Sequence, residues 1–380
     1  MLVAFSHLRW GFVWQRPQHL LTRFARDMPV MVVEEPEFGS EGFDLRVWRD
    51  HGVTIVTPLV PAMAGTSGFG PHINREISRL LEPLLPPSVD PIYWYYTPMA
   101  LGAEPMGSRP SLTVYDAMDD LASFLAAPRE LRSQEARLLT RVDLVFTGGP
   151  SIYRQRRDAH PSVHCFPSGV ETEHFTRRTS ATTLPQGLAA KPRPILGYYG
   201  VIDERLDLAL LADIADLRPE WTMALIGPVA KIDDASIPVR PNIIRFGQQA
   251  YADLPAFLGC FDVAMMPFAR NEATRAISPT KTLEYLAGQK PVVSTPIADV
   301  MELYGEVVQI ASTARDFVAA TESIMTRTSD EEQQWRDRAA RLVAVHDWDA
   351  IARDMWRLMM RSRAAMRREL IVEPVASLSA

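Results

Sequence analysis

Lys281 and Glu284 sit three residues apart in the stretch SPTKTLEYLAGQKPVVST, which starts at Ser278. On a helix that spacing puts both on one face, about 4.5 Å apart along the axis. A cation followed by a carboxylate suits a nucleoside diphosphate, with phosphates against the lysine and ribose hydroxyls donating to the glutamate. Ser278 is a good N-cap, and Pro279, which has no N–H to waste, suits the first helical position. The spacing predicts a helix from Pro279, whose opening residues Ser278, Pro279, Thr280 and Lys281 present free backbone N–H groups and a positive dipole end to an anion. The competing reading is a solvated Lys–Glu surface pair, worth roughly a few tenths of a kcal/mol. Context separates the two. Flanking runs DVAMMP, 262–267, and PVVSTP, 291–296, read as buried strands. The helix start then faces the carboxyl ends of parallel strands, where open α/β sheets bind ligands.

Other residues with chemistry to offer also follow strand-like runs. LTVYD ends in Asp116, with Asp119 and Asp120 just behind it. A carboxylate at a strand terminus is held firmly and points into a cleft, so Asp119 or Asp120 is a candidate catalytic base; capping of the next helix accounts for one of the three. Gly200 and Gly227 each close a strand and let a ligand approach the backbone, while Arg205 is within reach of the same diphosphate. Near the N-terminus LRWGFVWQR carries Arg9, Trp10, Trp14, Gln15 and Arg16, with His19 beyond, at the end of the first strand. A loop there is a binding position. Its alternative is that the tryptophans cover a core edge and Arg16 pairs with a carboxylate. Asp347 and Asp349 match a metal-type D-x-D pair but open the last helix, where an aspartate is an expected cap. No GxGxxG follows a strand and no Walker A sequence is present, which argues against a nicotinamide dinucleotide.

These residues need two α/β units to position them. At 380 residues, 47% apolar and 23% charged, the chain has the size and balance of a soluble protein of two domains. A net charge of -6 offers nucleic acid no general attraction. Cys165 and Cys260, far apart, indicate neither a disulfide scaffold nor a zinc site, and fit a reducing cytoplasm. No run is apolar for 18 residues, and the N-terminus is too short in apolar length for a signal peptide. Strands are expected at 2–6, 30–34, 53–57, 91–96, 112–116, 143–147 and 163–166, with an irregular excursion over 58–90 around a helix at 73–81. The stretch 176–194, rich in Thr, Ala, Arg and Pro, reads as a linker. A second series follows, with strands at 195–199, 222–226, 243–246 and those around the Lys281 helix. Helices are expected near 314–326 and 330–346, then a last one from Trp348. Trp348, Ile351, Ala352, Met355 and Met359 form its apolar face, and Arg361, Arg363, Arg367 and Arg368 its basic end, which could touch anionic lipid or simply complement the helix dipole.

On SPTKTLEYLAGQKPVVSTP, the preceding FGQQAYADLPAFLGCFDVAMMPF, the turn PSGVETEHF and the segment WQRPQHL, the chain resembles glycosyltransferases of the GT-B architecture, family-4-like (glycosyl transferases group 1). That resemblance implies an α/β fold of two Rossmann-like domains facing across a cleft. An acceptor-binding domain spans 1–175, a linker 176–194 and a nucleotide-sugar domain 195–346; a helix at 347–370 crosses back to the first domain, and a tail covers 371–380. It implies transfer of a sugar from a UDP- or GDP-linked donor to a glycan or lipid-linked acceptor in polysaccharide, glycolipid or cell-envelope synthesis, without a bound metal or other cofactor, in the cytoplasm or at its membrane face. Glu284 takes the place of the ribose-binding glutamate, Ser278 to Lys281 of the diphosphate-binding helix start, and Gly200 with Arg205 of the glycine and basic loop opposite. Arg9, Trp14, Gln15, Arg16 and His19 fall on the acceptor side. A related branch with Ser-x-Lys in this helix uses a first-domain aspartate as base, which points to Asp119, then Asp120. Three departures stand out. Ala276 replaces a second glutamate, Arg205 is alone where two basic residues are usual, and Ser168 replaces an asparagine. A nucleotide-sugar epimerase of the same shape, a metal-dependent transferase and a silent nucleotide-sugar-binding protein are the rival expectations.

Overall fold

The computed structural model describes residues 1–62, 68–86, 88–176 and 185–372. Its first sheet contains β1 (Leu2–Phe5), β2 (Val30–Val33), β3 (Glu37–Ser40), β4 (Asp44–Asp50), β5 (Val53–Pro61), β6 (Ile92–Tyr95), β7 (Leu112–Ala117), β8 (Leu144–Thr147) and β9 (Val163–Cys165). The order is β3-β5-β2-β1-β6-β7-β8-β9, with β4 paired antiparallel to β5. In β1 the side chains alternate between two apolar clusters, Val3 and Phe5 on one face and Leu2 and Ala4 on the other. Burial on both faces explains why β1, and likewise β2, β6 and β8, read as continuous apolar runs.

The second sheet holds β10 (Ile195–Tyr199), β11 (Thr222–Ile226), β12 (Ile243–Arg245), β13 (Val263–Met266), β14 (Val292–Ser294) and β15 (Val308–Ile310), ordered β12-β11-β10-β13-β14-β15 and all parallel. Strand order therefore reverses between β10 and β13, and in sheet one between β1 and β6. Such reversals open crevices at the carboxyl ends of the strands.

The last helix, Trp348–Val372, returns to the first domain. Trp348, Ala352, Met355 and Met359 are buried against Leu20, Leu21, Trp94 and Phe146. At about 25 cal/mol per Å², each fully buried large side chain contributes roughly 1.5–3 kcal/mol to holding the domains as one body. Side chains from residue 366 onward, including those of Arg367 and Arg368, lie outside the described residues.

Two strands join those expected: residues 37–50, for which no strand was expected, pair along β5, which lends its edge to both of them. Three local expectations are corrected. The linker is shorter than its composition implied: Gln186–Ala189 is helical and Leu188 is buried in the second domain's core, while 177–184 fall outside the described residues. That core already includes Val170 and Phe175, so the boundary precedes residue 175. The helix expected from Pro279 runs from Lys281 to Ala287, with Thr280 rather than Ser278 at its cap position. Its approach is a tighter turn, in which Thr282 and Leu283 donate to the carbonyls of Pro279 and Thr280 three residues back.

Candidate active site

Helix Lys281–Ala287 is locked by its buried face. The Tyr285 hydroxyl accepts from the Tyr199 backbone N–H at 3.0 Å, the Thr282 hydroxyl reaches Met266 Sδ at 3.3 Å, and Leu283 and Leu286 enter the core. With those side chains committed inward, Lys281 and Glu284 line the interdomain cleft. Neither belongs to a solvated surface pair. The Lys281 ammonium lies 5.5 Å from the centroids of Tyr198 and Phe268, and among the described residues it makes no ion pair. Burial, with Arg205 close by, holds it below its ordinary lysine range. Burial holds Glu284 above the usual carboxylate range, opposed chiefly by Lys281. A seven-residue helix has a small dipole, so the positive charge here comes mainly from side chains.

The floor of this pocket needs glycine. Gly200 has φ +139°, and a Cβ there would meet Lys281 Cε at 2.8 Å and the Tyr198 hydroxyl at 3.0 Å. Gly227 has φ +144°, and its Cβ would overlap the Gly200 carbonyl. Both strand ends therefore stay bare beside the lysine. Arg205 joins them, held by Asp203 through Nε at 2.9 Å and Nη2 at 2.6 Å. All of Gly200, Arg205, Gly227, Ser278, Pro279, Thr280, Lys281 and Glu284 line the one pocket.

Across the cleft stand Trp14, Gln15, Arg16 and Asp119 of the first domain. Asp119 makes no side-chain hydrogen bond or ion pair with the described residues. Burial raises its carboxyl above the usual range, while Arg205, Lys231, Arg16 and Lys281 pull the other way. A carboxylate so placed is free to meet a ligand.

Several candidates are placed elsewhere. Asp120 lies outside the pocket, accepting from Arg156 at 3.1 Å and Ser123 at 2.7 Å, which satisfies its charge within the fold. Arg16 does line the pocket, yet its guanidinium is 2% exposed, bidentate to Asp116 at 2.9 Å and bonded to the Phe166 carbonyl at 2.8 Å. Its role is to brace the loop. Arg9 turns to Glu34 and the Pro36 carbonyl, away from the pocket. His19 is buried between Trp14 and Trp348, 3.8 Å from Glu171, and burial keeps it below its ordinary range. Asp347 caps the last helix through the Ala350 N–H at 3.0 Å, and Asp349 pairs with Arg23 and Arg26. Ala276 packs into the first domain's apolar cluster.

Other lining residues escaped the sequence reading. Tyr199, Gln248, Gln249 and Tyr251 enclose the far end, with Tyr251 stacked on Trp14 at 5.8 Å across the interdomain gap. Asp203, which orients Arg205, was also missed. The run GQQAY directly after a strand was the available signal, since it ends β12 as Gly200 ends β10.

Residues 193–327 match the model of a family described as glycosyl transferases group 1. TuaH of Bacillus subtilis (strain 168), a protein assigned as a glycosyltransferase of teichuronic acid biosynthesis, is 25% identical over 308 residues, covering 74% of this chain and 76% of that protein. The chain is a GT-B glycosyltransferase. Solved structures agree on the fold of this glycosyltransferase. Sucrose-phosphate synthase from Thermosynechococcus elongatus superposes with a TM-score of 0.70 at 14% identity, over 96% of this chain and 99% of that one. A trehalose-6-phosphate enzyme structure from E. coli, bound with UDP-2-fluoro glucose, gives 0.67 at 13% identity, over 94% and 99%. Among the described residues of the glycosyltransferase, no helix is long and apolar enough to cross a membrane.

Proposed function

We propose that the enzyme transfers a sugar from a UDP- or GDP-linked donor to a hydroxyl of a cell-envelope polysaccharide, with Asp119 as general base and without a metal ion. The observation that carries this reading is the meeting, in one cleft, of Lys281, Arg205 and Glu284 from one domain with an unpartnered Asp119 from the other. Breaking the sugar–diphosphate bond builds cationic character on the sugar and negative charge on the departing diphosphate. Lys281 and Arg205 neutralise the latter where a metal would otherwise be needed. Glu284 accepts from the ribose hydroxyls, bonds that favour its charged form against the cost of burial. Asp119 takes the acceptor proton as the oxygen attacks, and the anomeric configuration inverts. The teichuronic acid assignment of the Bacillus relative supports an envelope polysaccharide as acceptor. Work at the cytoplasmic face, with peripheral contact to anionic lipid, follows from such an acceptor.

Asp119→Asn tests the assignment. Donor affinity should stay within about threefold while kcat falls by roughly 10²–10⁴, the usual contribution of a general base. Full activity, or a product that retains the donor's anomeric configuration by NMR, would remove Asp119 from that role. Activity that survives EDTA is expected, and its loss would restore a metal.

A further inference from the structure

We propose that Phe124 is a positioning residue for donor binding: from the first domain it lays its ring against the guanidinium of Arg205 in the second, and so holds the side chain that meets the diphosphate. The inference rests on the reading of Arg205 as a diphosphate ligand.

Its own domain grips Arg205 along one edge. Nε and Nη2 donate to the buried Asp203 at 2.6–3.0 Å, while Nη1 makes no hydrogen bond among the described residues, although the arginine lines the cleft. An edge contact sets where the guanidinium points, and the plane it lies in is set by what covers its faces. Phe124 lies there, with Arg205 Cζ 5.5 Å from its ring centroid. At that distance a cation is drawn to the aromatic quadrupole, and arginine is the commoner partner in such pairs. A ring contact consumes none of the five N–H donors, so Nη1 stays available to an oxygen anion.

Hydrogen bonds on either side of Phe124 hold the ring in place. The Leu125 N–H donates across the domain boundary to Glu204 Oε1 at 3.1 Å, one residue before Arg205. Asn271 Nδ2 donates to the Glu204 carbonyl at 2.8 Å, which ties that residue into the second domain. On the other side, the Ser123 hydroxyl donates to Asp120 at 2.7 Å, and Asp120 is paired with Arg156. The Lys231 ammonium also stands over the ring, at 4.5 Å, with its charge met by Glu204 at 3.7 Å. Phe124 is in none of the apolar clusters formed by the described residues, so core packing gives no reason for an aromatic side chain here. Its ring faces cations instead, and one of them is the arginine of the donor site.

A double-mutant cycle on the full chain, read by calorimetric titration with UDP and GDP, tests this without a sugar or an acceptor. Phe124→Leu keeps apolar bulk and removes the ring. It should weaken the tighter-binding nucleotide by roughly three- to tenfold, as expected when one long side chain must be ordered on binding. Phe124→Tyr keeps the ring and should bind within about threefold of the parent. In an Arg205→Ala background Phe124→Leu should cost less than about threefold, because the residue it acts through is gone. Phe124 lies outside the apolar cores, so these variants should fold. A smaller loss in Phe124→Leu alone, no recovery in Phe124→Tyr, or an undiminished loss in the Arg205→Ala background overturns the proposal. If Arg205→Ala by itself leaves nucleotide affinity unchanged, the diphosphate reading of Arg205 goes as well; if it weakens binding, that reading stands whatever Phe124 does.

Discussion

Lys281→Ala removes the cation around which the donor end of the cleft is built. A diphosphate oxygen in ion-pair contact, about 4 Å away, interacts with that charge by roughly 4 kcal/mol at an effective dielectric near 20. Arg205 compensates only in part, because its Nε and Nη2 are already given to Asp203 at 2.6–3.0 Å. A net loss of about 2–4 kcal/mol follows, or roughly 30- to 1,000-fold in affinity for a nucleoside diphosphate. A second consequence comes from Glu284, whose carboxyl is held down chiefly by Lys281. Without the lysine, Glu284 moves further above its usual range and becomes a poorer acceptor for ribose. Lys281→Ala and Glu284→Ala should therefore combine less than additively. Calorimetric titration with UDP and GDP, beside kcat/KM for transfer, measures both effects. A change in nucleotide affinity under about threefold would refute the diphosphate cradle. Full additivity would refute the coupling.

Two further outcomes follow from the same pocket. Glu284 has a carboxyl raised above its ordinary value of 4.5 by burial, so the folded state holds its proton more tightly than the unfolded chain. Its contribution is most favourable below pH 4.5 and is lost as pH rises toward neutrality. Glu284→Gln should then leave the melting temperature little changed near pH 4.5 and raise it near pH 7.5, even as donor KM rises; a difference that narrows with pH would contradict the burial argument. Gly200→Ala forces a side chain to φ +139° and against Lys281 and Tyr198. It should cost about 1–3 kcal/mol of stability by chemical denaturation and weaken UDP or GDP binding at least tenfold, whereas unaltered binding would show that the lysine has room to move.

Much of the architecture was legible in the chain because it depends on neighbours in sequence. Apolar runs such as LVAF at β1 and VAMM at β13 are buried strands wherever they pair, and the glycines at 200 and 227 mark strand ends that must stay open. Lys281 and Glu284 owe their common face to helix geometry alone, and the apolar face of the last helix is written in its period. What escaped the sequence was decided by pairings between distant residues. Arg16 and Asp116 are one hundred positions apart, so nothing local showed that this arginine's charge was already satisfied. Asp119 and Asp120 are adjacent and chemically alike; Arg156 and Ser123 claim one and leave the other facing the cleft. Strands at 37–50 have weak patterns and exist because β5 offers an edge. A side chain's availability for chemistry is set by what already satisfies its charge and hydrogen bonds, and for Arg16 and Asp120 the decisive charged partners arrive from remote parts of the same domain.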